Sequence, residues 1–428
     1  MSKGKKGLAL LLSFLMVGAS LAGCQSSSPS GEGSKTDDSG SGDEVITVNF
    51  YGASDMDTTG KAEAEAFMEA NKNIKIEYHS IPNDDYDDKI KVMLSGGSSD
   101  IDALWIRTPA QMKQYMNNDV LMDLAPLAEK SGLDITPIKD TSLVGVSGES
   151  NDFYGLPVSG SCWMLFYNKD LFDAEGKDYP INLTWNEYCA LAKELTHDDQ
   201  KGGVCPTWTM NLGASSVGEY LTDDAPLERT SEYLEVLHRM YVDDKSHVSV
   251  EEMSVDTFDI NALFASGNIA MMINGDWTFR LLGDYDPSFT WAAAPLPRFD
   301  DAEEGASVGQ ASYLCIPSSC ASEKVDAAYK FIEFYTTSDE GTTIIAQNHD
   351  VPSYATDAAM EAYKKDVTIE GVEYRFSAKI GAEQGTDPHY AAINDAFLEE
   401  SKLYLLGEQS LEDAMNNFYR LREEALAG

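Results

Sequence analysis

The chain has 428 residues, and its 72 acidic and 31 basic side chains give a formal net charge of −41. A surface this acidic repels nucleic acid and anionic lipid headgroups, which excludes both as targets, and it disfavours an anionic ligand. Residues 45–428 are too many for one hydrophobic core, so the length predicts two domains.

The N-terminus has the pattern of an export signal. Lysines among the first six residues precede an apolar segment at 8–19, which is too short for a membrane span. The sequence Leu-Ala-Gly-Cys that ends at Cys24 resembles the bacterial lipobox. This resemblance implies that residues 1–23 are a signal peptide, that cleavage precedes Cys24, and that the thiol and amine of Cys24 are lipidated. The alternative is an ordinary secretory signal with an incidental cysteine.

Residues 24–44 are rich in serine and glycine after the cysteine, and this composition predicts a flexible tether. No other stretch of the sequence is long and apolar enough to cross a membrane. The expected location is therefore the outer face of the bacterial cell membrane, with the lipid as anchor.

The segments after the tether alternate between strand and helix patterns. The predicted elements are a strand at 45–51, a loop at 51–55, a helix ending near Asn71, a strand at 74–78, a helix at 86–94 and a strand at 101–106. This order predicts a parallel sheet with helices on both sides.

A second unit begins after residue 157. The elements predicted from there to the C-terminus are a strand at 163–167, a helix from Thr184 to about Leu195 with a Thr184–Glu187 capping box, helices at 233–241 and 257–264, strands at 291–297 and 309–316, and helices at 325–335, 393–406 and 411–426.

One stretch of this second unit combines a buried strand with a large aromatic residue. The continuous apolar run at 269–273 predicts a strand buried on both faces, which Asn274 and Gly275 then end. Asp276 is a plausible N-cap for a following helix, with Trp277 at its first position. Trp277 is either a core residue or a ligand platform at the carboxyl edge of the sheet.

Five groups of residues, in order behind Cys24, resemble the motifs of one family. They are YGLP at 154–157, YNKDLF at 167–172 with TW at 184–185, FASGNIAM at 264–271 running into NGDW at 274–277, PLP at 295–297, and AAYKFI at 327–332 with VP at 351–352. Together they are similar to the extracellular solute-binding proteins of bacterial ABC importers, in particular the sugar-binding branch that includes maltose-binding protein. The resemblance spans about residues 45–426.

The resemblance implies an α/β fold of the periplasmic-binding-protein type, a bilobal clamp with two α/β lobes joined by a hinge of about three crossovers. Lobe 1 would hold 45–157 and 298–350, and lobe 2 would hold 158–297 and 351–428. A monomer of this kind would close around a carbohydrate and dock on the permease subunits of an ABC transporter, with no cofactor and no catalytic residue.

Carbohydrate binding needs flat aromatic surfaces for sugar faces and planar polar groups for the hydroxyl rim. The best candidates follow the predicted strands. They are Tyr51, Ser54, Asp55, Trp105, Arg107, Trp208, Asn274, Asp276, Trp277, Gln310, Tyr313 and Tyr354. Trp277 is a candidate because it occupies the tryptophan position of the family's G-x-W motif, so its ligand role is what the resemblance implies. For Trp105 a core role competes, and for Asp55 and Asp276 a helix cap competes. At Gly309-Gln310 the chain departs from the glycine pair common in the family, which leaves the role of Gln310 open.

Other functions remain to be weighed. The residues at 55–60 resemble the start of a calcium loop, but Ala66 replaces the bidentate glutamate, and the six histidines show no metal spacing. The carboxylates of Asp55, Asp57 and Asp276 could instead recognise a cation such as a polyamine or an amino sugar. A secreted glycoside hydrolase is a remote alternative, because an acid pair is recognised only by its geometry. The odd number of cysteines after Cys24 predicts buried thiols, and a Cys315–Cys320 bridge is left open.

Overall fold

The computed structural model describes residues 45–138, 153–255 and 258–427. The predicted signal peptide, Cys24, the tether and Thr257 lie outside the described residues. No helix within the described ranges is long and apolar enough to cross a membrane.

The first part of the chain alternates between strands and helices, as predicted. The elements are β1 (Ile46–Ala53), α1 (Asp57–Ala70), β2 (Ile74–Ile81), α2 (Tyr86–Ser95), β3 (Ala103–Ile106), α3 (Pro109–Asn117), α4 (Ala125–Ser131) and β4 (Leu156–Gly160). Short 3-10 turns at Ser54–Met56 and Asn83–Asp85 precede α1 and α2.

The middle of the chain contributes another set of strands. The elements are β5 (Trp163–Asn168), α5 (Lys169–Glu175), α6 (Trp185–Glu194), β6 (Lys201–Val204), α7 (Leu212–Ser215), α8 (Glu228–His238) with a π-helical turn at Arg239–Asp243, α9 (Val250–Met253), α10 (Ile260–Ala265), β7 (Ile269–Gly275), α11 (Thr278–Tyr285) and β8 (Trp291–Pro295).

The last part is mainly helical. Its elements are β9 (Ala306–Gly309), β10 (Ala311–Cys315), α12 (Val325–Thr337), α13 (Asp339–Gln347), α14 (Asp357–Asp366), α15 (Tyr374–Ser377), β11 (Lys379–Ala382), α16 (Tyr390–Leu405) and α17 (Leu411–Ala427).

The strands form two main sheets, each with its own hydrophobic core. The first sheet has the order β2-β1-β3-β10-β4, in which β1 is parallel to β2 and β3, and β10 is antiparallel to β3 and β4. Phe331 of α12 packs edge-on against Phe50 and Phe67, with centroid separations of 5.2 and 5.3 Å. The parallel pairing predicted for the first three strands is confirmed.

The second sheet has the order β6-β7-β5-β8, with β6 parallel to β7 and β5 antiparallel to β7 and β8. β7 is buried along its whole length, as its apolar run predicts. β9 and β11 form a separate parallel pair. The chain passes between the two cores after β4, between β8 and β10, and after α13, so three crossovers connect the lobes within the described residues.

The crossovers are packed against one another. Ser161 N–H donates to the Gln310 carbonyl at 2.9 Å, and Gln310 N–H donates to Ser161 Oγ at 3.0 Å. A Cβ at Gly309 would lie 1.9 Å from the Ser161 carbonyl oxygen, so this close approach requires glycine there.

Predictions of helix ends were confirmed where they depend on residues a few positions apart in the chain. The Thr184–Glu187 capping box forms, and α1 ends at Ala70 with Asn71 as its C-cap. The predicted loop at 51–55 is wrong at its start, because β1 continues to Ala53. β7 likewise includes Asn274 and Gly275, which the sequence had assigned to a break.

All five cysteines of the described ranges are buried and none forms a disulfide, so Cys315 and Cys320 are not bridged. Cys320 Sγ instead lies 3.7 Å from Asp102 Oδ1. Within the same ranges no three His, Cys, Asp or Glu side chains are arranged to hold a metal ion.

Candidate functional site

The two main sheets present one edge each to a common cleft. In the first sheet β1 and β3 end at Ala53 and Ile106, and the antiparallel β10 begins beside Ile106, just after Gln310. In the second sheet β7 ends at Gly275, which pairs with Trp163 at the start of β5. Because the short crossovers leave from these same ends, the residues beyond them face one another.

Trp277 lies at the second sheet's edge and is half-buried. Its ring turns back over Gly275, where a Cβ would lie 1.9 Å from the indole. The ring also meets Trp163 edge-on, with a centroid separation of 5.3 Å and an interplanar angle of 82°. Glycine at 275 therefore lets the tryptophan pair form, which explains the G-x-W spacing.

Asp276 does not cap α11, contrary to the sequence prediction. The N-cap position is Trp277, without a side-chain cap. The Asp276 carboxylate instead pairs with the guanidinium of Arg375, and both side chains are buried. Burial raises the pKa of Asp276, although Arg375 opposes the shift. The Asp276 carboxylate thus binds Arg375, which is 99 residues away, instead of a backbone N–H of the helix that follows it.

Arg375 also ties this edge to the hinge. Its Nη2 donates to the carbonyl of Gly160 at 2.7 Å, and the backbone N–H of Asp276 donates to the carbonyl of Cys162 at 2.9 Å. These contacts fix the crossover after β4 against the turn after β7. Sequence reasoning missed Arg375, because no motif surrounds it.

Arg280, three residues after Trp277 on α11, crosses the cleft. Its Nη1 donates to the Asp55 carbonyl at 2.9 Å, and its Nε lies 3.7 Å from Asp350 Oδ2. Burial raises the pKa of Asp350, the carboxylates of Asp276 and Asp55 add to the rise, and Arg280 opposes it. The lobes are therefore in direct polar contact through a residue that the sequence analysis did not select.

Trp208 follows β6 at the same edge of the second sheet, since β6 runs parallel to β7. All six tryptophans lie in the described ranges, and Trp208 is the most exposed of them, with 47% of its surface accessible. An indole this open beside a cleft is available for stacking against a ligand.

Three first-lobe candidates form one group around the turn before α2. Trp105 is 8% exposed, and the guanidinium of Arg107 lies 5.2 Å from its ring centroid. Arg107 Nη2 donates to the Asn83 carbonyl at 3.0 Å and to its Oδ1 at 2.8 Å, while Ser54 Oγ accepts from Asn83 N–H at 3.0 Å. Arg107 and Ser54 therefore hold this turn in place.

Gln310 lies where the first sheet meets the segment after β11. Its Oε1 accepts a hydrogen bond from Gln384 Nε2, and the N–H of Glu383 donates to the Gly309 carbonyl at 3.1 Å. Glu383 and Gln384 were missed by the sequence analysis, because the segment after 366 carries no recognisable motif.

The remaining candidates are not brought together with these residues. Tyr51 lies within β1 and stacks on His79, with the ring centroids 4.5 Å apart. Burial raises the pKa of Tyr51, and the carboxylates of Asp100 and Asp102 before β3, at the opposite edge of the sheet, add to the rise. Tyr313 is fully buried in the first core. Asn274 is buried and donates to Asn261 Oδ1 at 3.4 Å. Tyr354 forms a bridge with Ile138 beside the first sheet.

A cavity of about 190 Å³ opens between α3 of the first lobe and the start of α16 of the second. Its polar lining is rich in amides, which are Gln111, Gln114, Gln384 and Asn394. An amide both donates and accepts hydrogen bonds in one plane, so this lining complements a rim of hydroxyl groups.

Comparison with known proteins identifies the family of this chain. A family model described as bacterial extracellular solute-binding protein matches residues 53–342. No protein of curated function is similar enough in sequence to count as a match.

Solved structures resemble the whole folded part. An ABC transporter substrate-binding protein from Listeria monocytogenes in complex with cycloalternan is 22% identical, with 89% of this chain and 99% of that chain covered and a TM-score of 0.79. A solute-binding protein from Thermotoga lettingae TMO bound with α-D-tagatose is 20% identical, covering 89% and 100%, with a TM-score of 0.74. UgpB from Mycobacterium tuberculosis in complex with glycerophosphocholine is 17% identical, covering 89% and 98%, with a TM-score of 0.75. At these identities the likeness establishes the fold, and the predicted bilobal architecture is confirmed.

Proposed function

The chain belongs to the family of bacterial extracellular solute-binding proteins, and we propose that it captures a carbohydrate outside the cell and delivers it to an ABC transporter permease. The observation that carries the proposal is the amide-rich cavity between the two lobes. Trp208 and Trp277, which both follow strands at one edge of the second sheet, add aromatic surfaces to it. Indole faces suit the C–H faces of a sugar, and amides suit its hydroxyl groups. Cycloalternan and tagatose in the similar structures support the same ligand class.

The mode of action follows from the fold. The ligand binds between the lobes, the crossovers act as a hinge, and the closed form docks on the permease. We assign the protein no catalytic step.

We further propose that Cys24 carries the lipid anchor and that residues 25–44 let the folded part reach the permease as a monomer. We expect Cys24→Ser to release the protein from the membrane fraction.

A second candidate ligand is a polyamine or an amino sugar. The carboxylates of Asp55, Asp350 and Glu383 lie at the cleft, and Arg280 approaches only the first two of these residues. A protonated amine bound there would be drawn to these carboxylates. The glycerophosphocholine of one similar structure also contains a cationic group.

A thermal-shift screen tests these alternatives, since a ligand that binds only the native state raises the melting temperature by mass action. The panel should contain mono- and oligosaccharides, spermidine and amino acids. We expect a carbohydrate to raise the melting temperature in a concentration-dependent manner. A shift with spermidine and none with any sugar would instead establish the second candidate.

A further inference from the structure

Glu383 lies where the edges of both sheets meet. Its backbone N–H is bonded to Gly309 at 3.1 Å, just before β10 of the first sheet, and Gln384 beside it contacts Gln310. Its carboxyl group faces Trp163 and Asp276, which stand at the ends of β5 and β7 in the second sheet. The side chain therefore lies against the ends of β5 and β7, while its backbone is held beside the crossover that leads into β10.

No cation neutralises the Glu383 carboxyl group within the described ranges, where it forms no ion pair. Its Oε2 is buried and has no hydrogen-bond partner among the described residues. The other titratable groups that face it are Asp276 of the β7–α11 turn and Tyr390 of α16. Arg375, the guanidinium beside Asp276, is already paired with that residue.

This environment destabilises the ionised form of Glu383. Burial raises its pKa from 4.5 to about 7, the Asp276 carboxylate adds to the rise, and the nearby Trp163 N–H opposes it. A carboxylate with a buried oxygen and no cation costs folding free energy, and glutamine would fill the same space with a smaller cost. A purely structural role therefore gives no reason for a carboxyl group here.

We propose that Glu383 is a specificity-determining residue of the cleft, whose carboxylate accepts hydrogen bonds from hydroxyl groups of the bound carbohydrate. This proposal rests on the proposed function and names one residue that would carry it. Such an acceptor excludes anionic ligands and favours ligands with paired donors.

The proposal has a defined pH dependence. Because the pKa of Glu383 is higher in the folded protein than in the unfolded chain, the folded state binds the proton more tightly. The ligand-free protein therefore loses stability as the pH rises from 4.5 to about 7, and the full cost applies above that range. Hydrogen-bond donors of the ligand stabilise the carboxylate and lower its pKa, so binding below about pH 7 releases a proton. Affinity therefore rises as the pH approaches about 7 and levels off above that value.

The test compares the wild-type protein with Glu383→Gln and with Glu399→Gln, a glutamate of α16 outside the cleft, as matched control. Melting temperatures are measured at pH 5 and pH 8, without ligand and with maltotriose, mannotriose, D-tagatose or spermidine. We expect Glu383→Gln to raise the ligand-free melting temperature by about 2–4 °C at pH 8 and by little at pH 5. We also expect it to weaken sugar binding by about 10- to 100-fold and to abolish its pH dependence.

Three other outcomes would contradict the proposal, the proposed function or both. If Glu383→Gln leaves the ligand-free protein unchanged at pH 8, or leaves sugar affinity unchanged, the proposal is wrong while the proposed function stands. A shift with spermidine alone that Glu383→Gln removes overturns the carbohydrate function and keeps Glu383 as the acceptor for a different donor. No shift with any probe counts against both.

Discussion

At the scale of single residues, two tryptophans with similar sequence contexts turn out to have different environments. Both follow a strand of the second sheet at its carboxyl edge. Trp277 is packed against Trp163 and over Gly275, so it supports its own lobe as well as facing the cleft. Trp208 is 47% exposed and has no ring partner among the described residues. Truncation of Trp208 therefore separates binding from folding more cleanly than truncation of Trp277.

We expect Trp208→Ala to weaken binding of the carbohydrate found in the screen by about 10- to 30-fold, because one stacked ring is worth on the order of 1–2 kcal/mol. The melting temperature should stay unchanged, since the ring is open to solvent. Isothermal titration calorimetry and thermal unfolding measure the two effects. The matched control is Tyr285→Ala, a ring 43% exposed at the far end of α11. Equal losses of affinity in both variants would mean that Trp208 is not a stacking platform.

At the scale of elements, the strand-turn-helix unit of β7 and α11 contributes three of the contacts described at the cleft. It carries Trp277 over the strand end, Asp276 into the Arg375 pair, and Arg280 across to the first lobe. These three roles depend on one tight turn at Gly275.

We predict that Gly275→Ala displaces the Trp277 ring, because the added Cβ would lie 1.9 Å from it. The variant should lose about 1–3 kcal/mol of stability by overpacking, and its tryptophan emission should shift towards longer wavelength. Gly283→Ala is the matched control, since Gly283 lies in α11 and a Cβ added there would meet nothing within 4 Å. That control should gain about 0.5–1 kcal/mol from better helix propensity. A Gly275→Ala variant as stable as the control would contradict the packing described for the turn.

The same unit shows how far a sequence can predict such a site. The apolar run of β7 and the capping box of α6 were predicted correctly, because their patterns are satisfied by residues a few positions apart. The Asp276 cap failed for the opposite reason, since Arg375 binds that carboxylate from 99 residues away. Arg280 was missed because its partners lie far along the chain, and Glu383 was missed because no motif surrounds it. Asp55, for example, is 225 residues from Arg280.

At the scale of the whole molecule, two arginines have different effects on the arrangement of the lobes. Arg375 is buried and holds the hinge segments at Gly160 and Asp276, so it fixes where the lobes pivot. Arg280 of the second lobe contacts the Asp55 carbonyl of the first lobe and the Asp350 carboxylate in the crossover after α13, and the contact with Asp55 requires the lobes to be close. Both sides of this contact are protein groups, so it favours the closed arrangement independently of any ligand.

We therefore expect Arg280→Met, which keeps the length of the side chain and removes its donors, to open the ligand-free protein. A hydrogen bond to a charged group contributes about 1.5–3 kcal/mol, enough to shift an equilibrium between open and closed forms by about tenfold or more. Small-angle X-ray scattering should show a larger radius of gyration for the ligand-free variant, and saturating ligand should restore the wild-type value. Apparent affinity should fall by the same factor, because ligand must then supply the lost free energy of closure. Arg420→Met removes an exposed arginine that pairs only with Glu424 among the described residues, and it should change neither quantity. If Arg280→Met scatters like the wild type but binds less tightly, Arg280 contacts the ligand instead of stabilising the closed lobes.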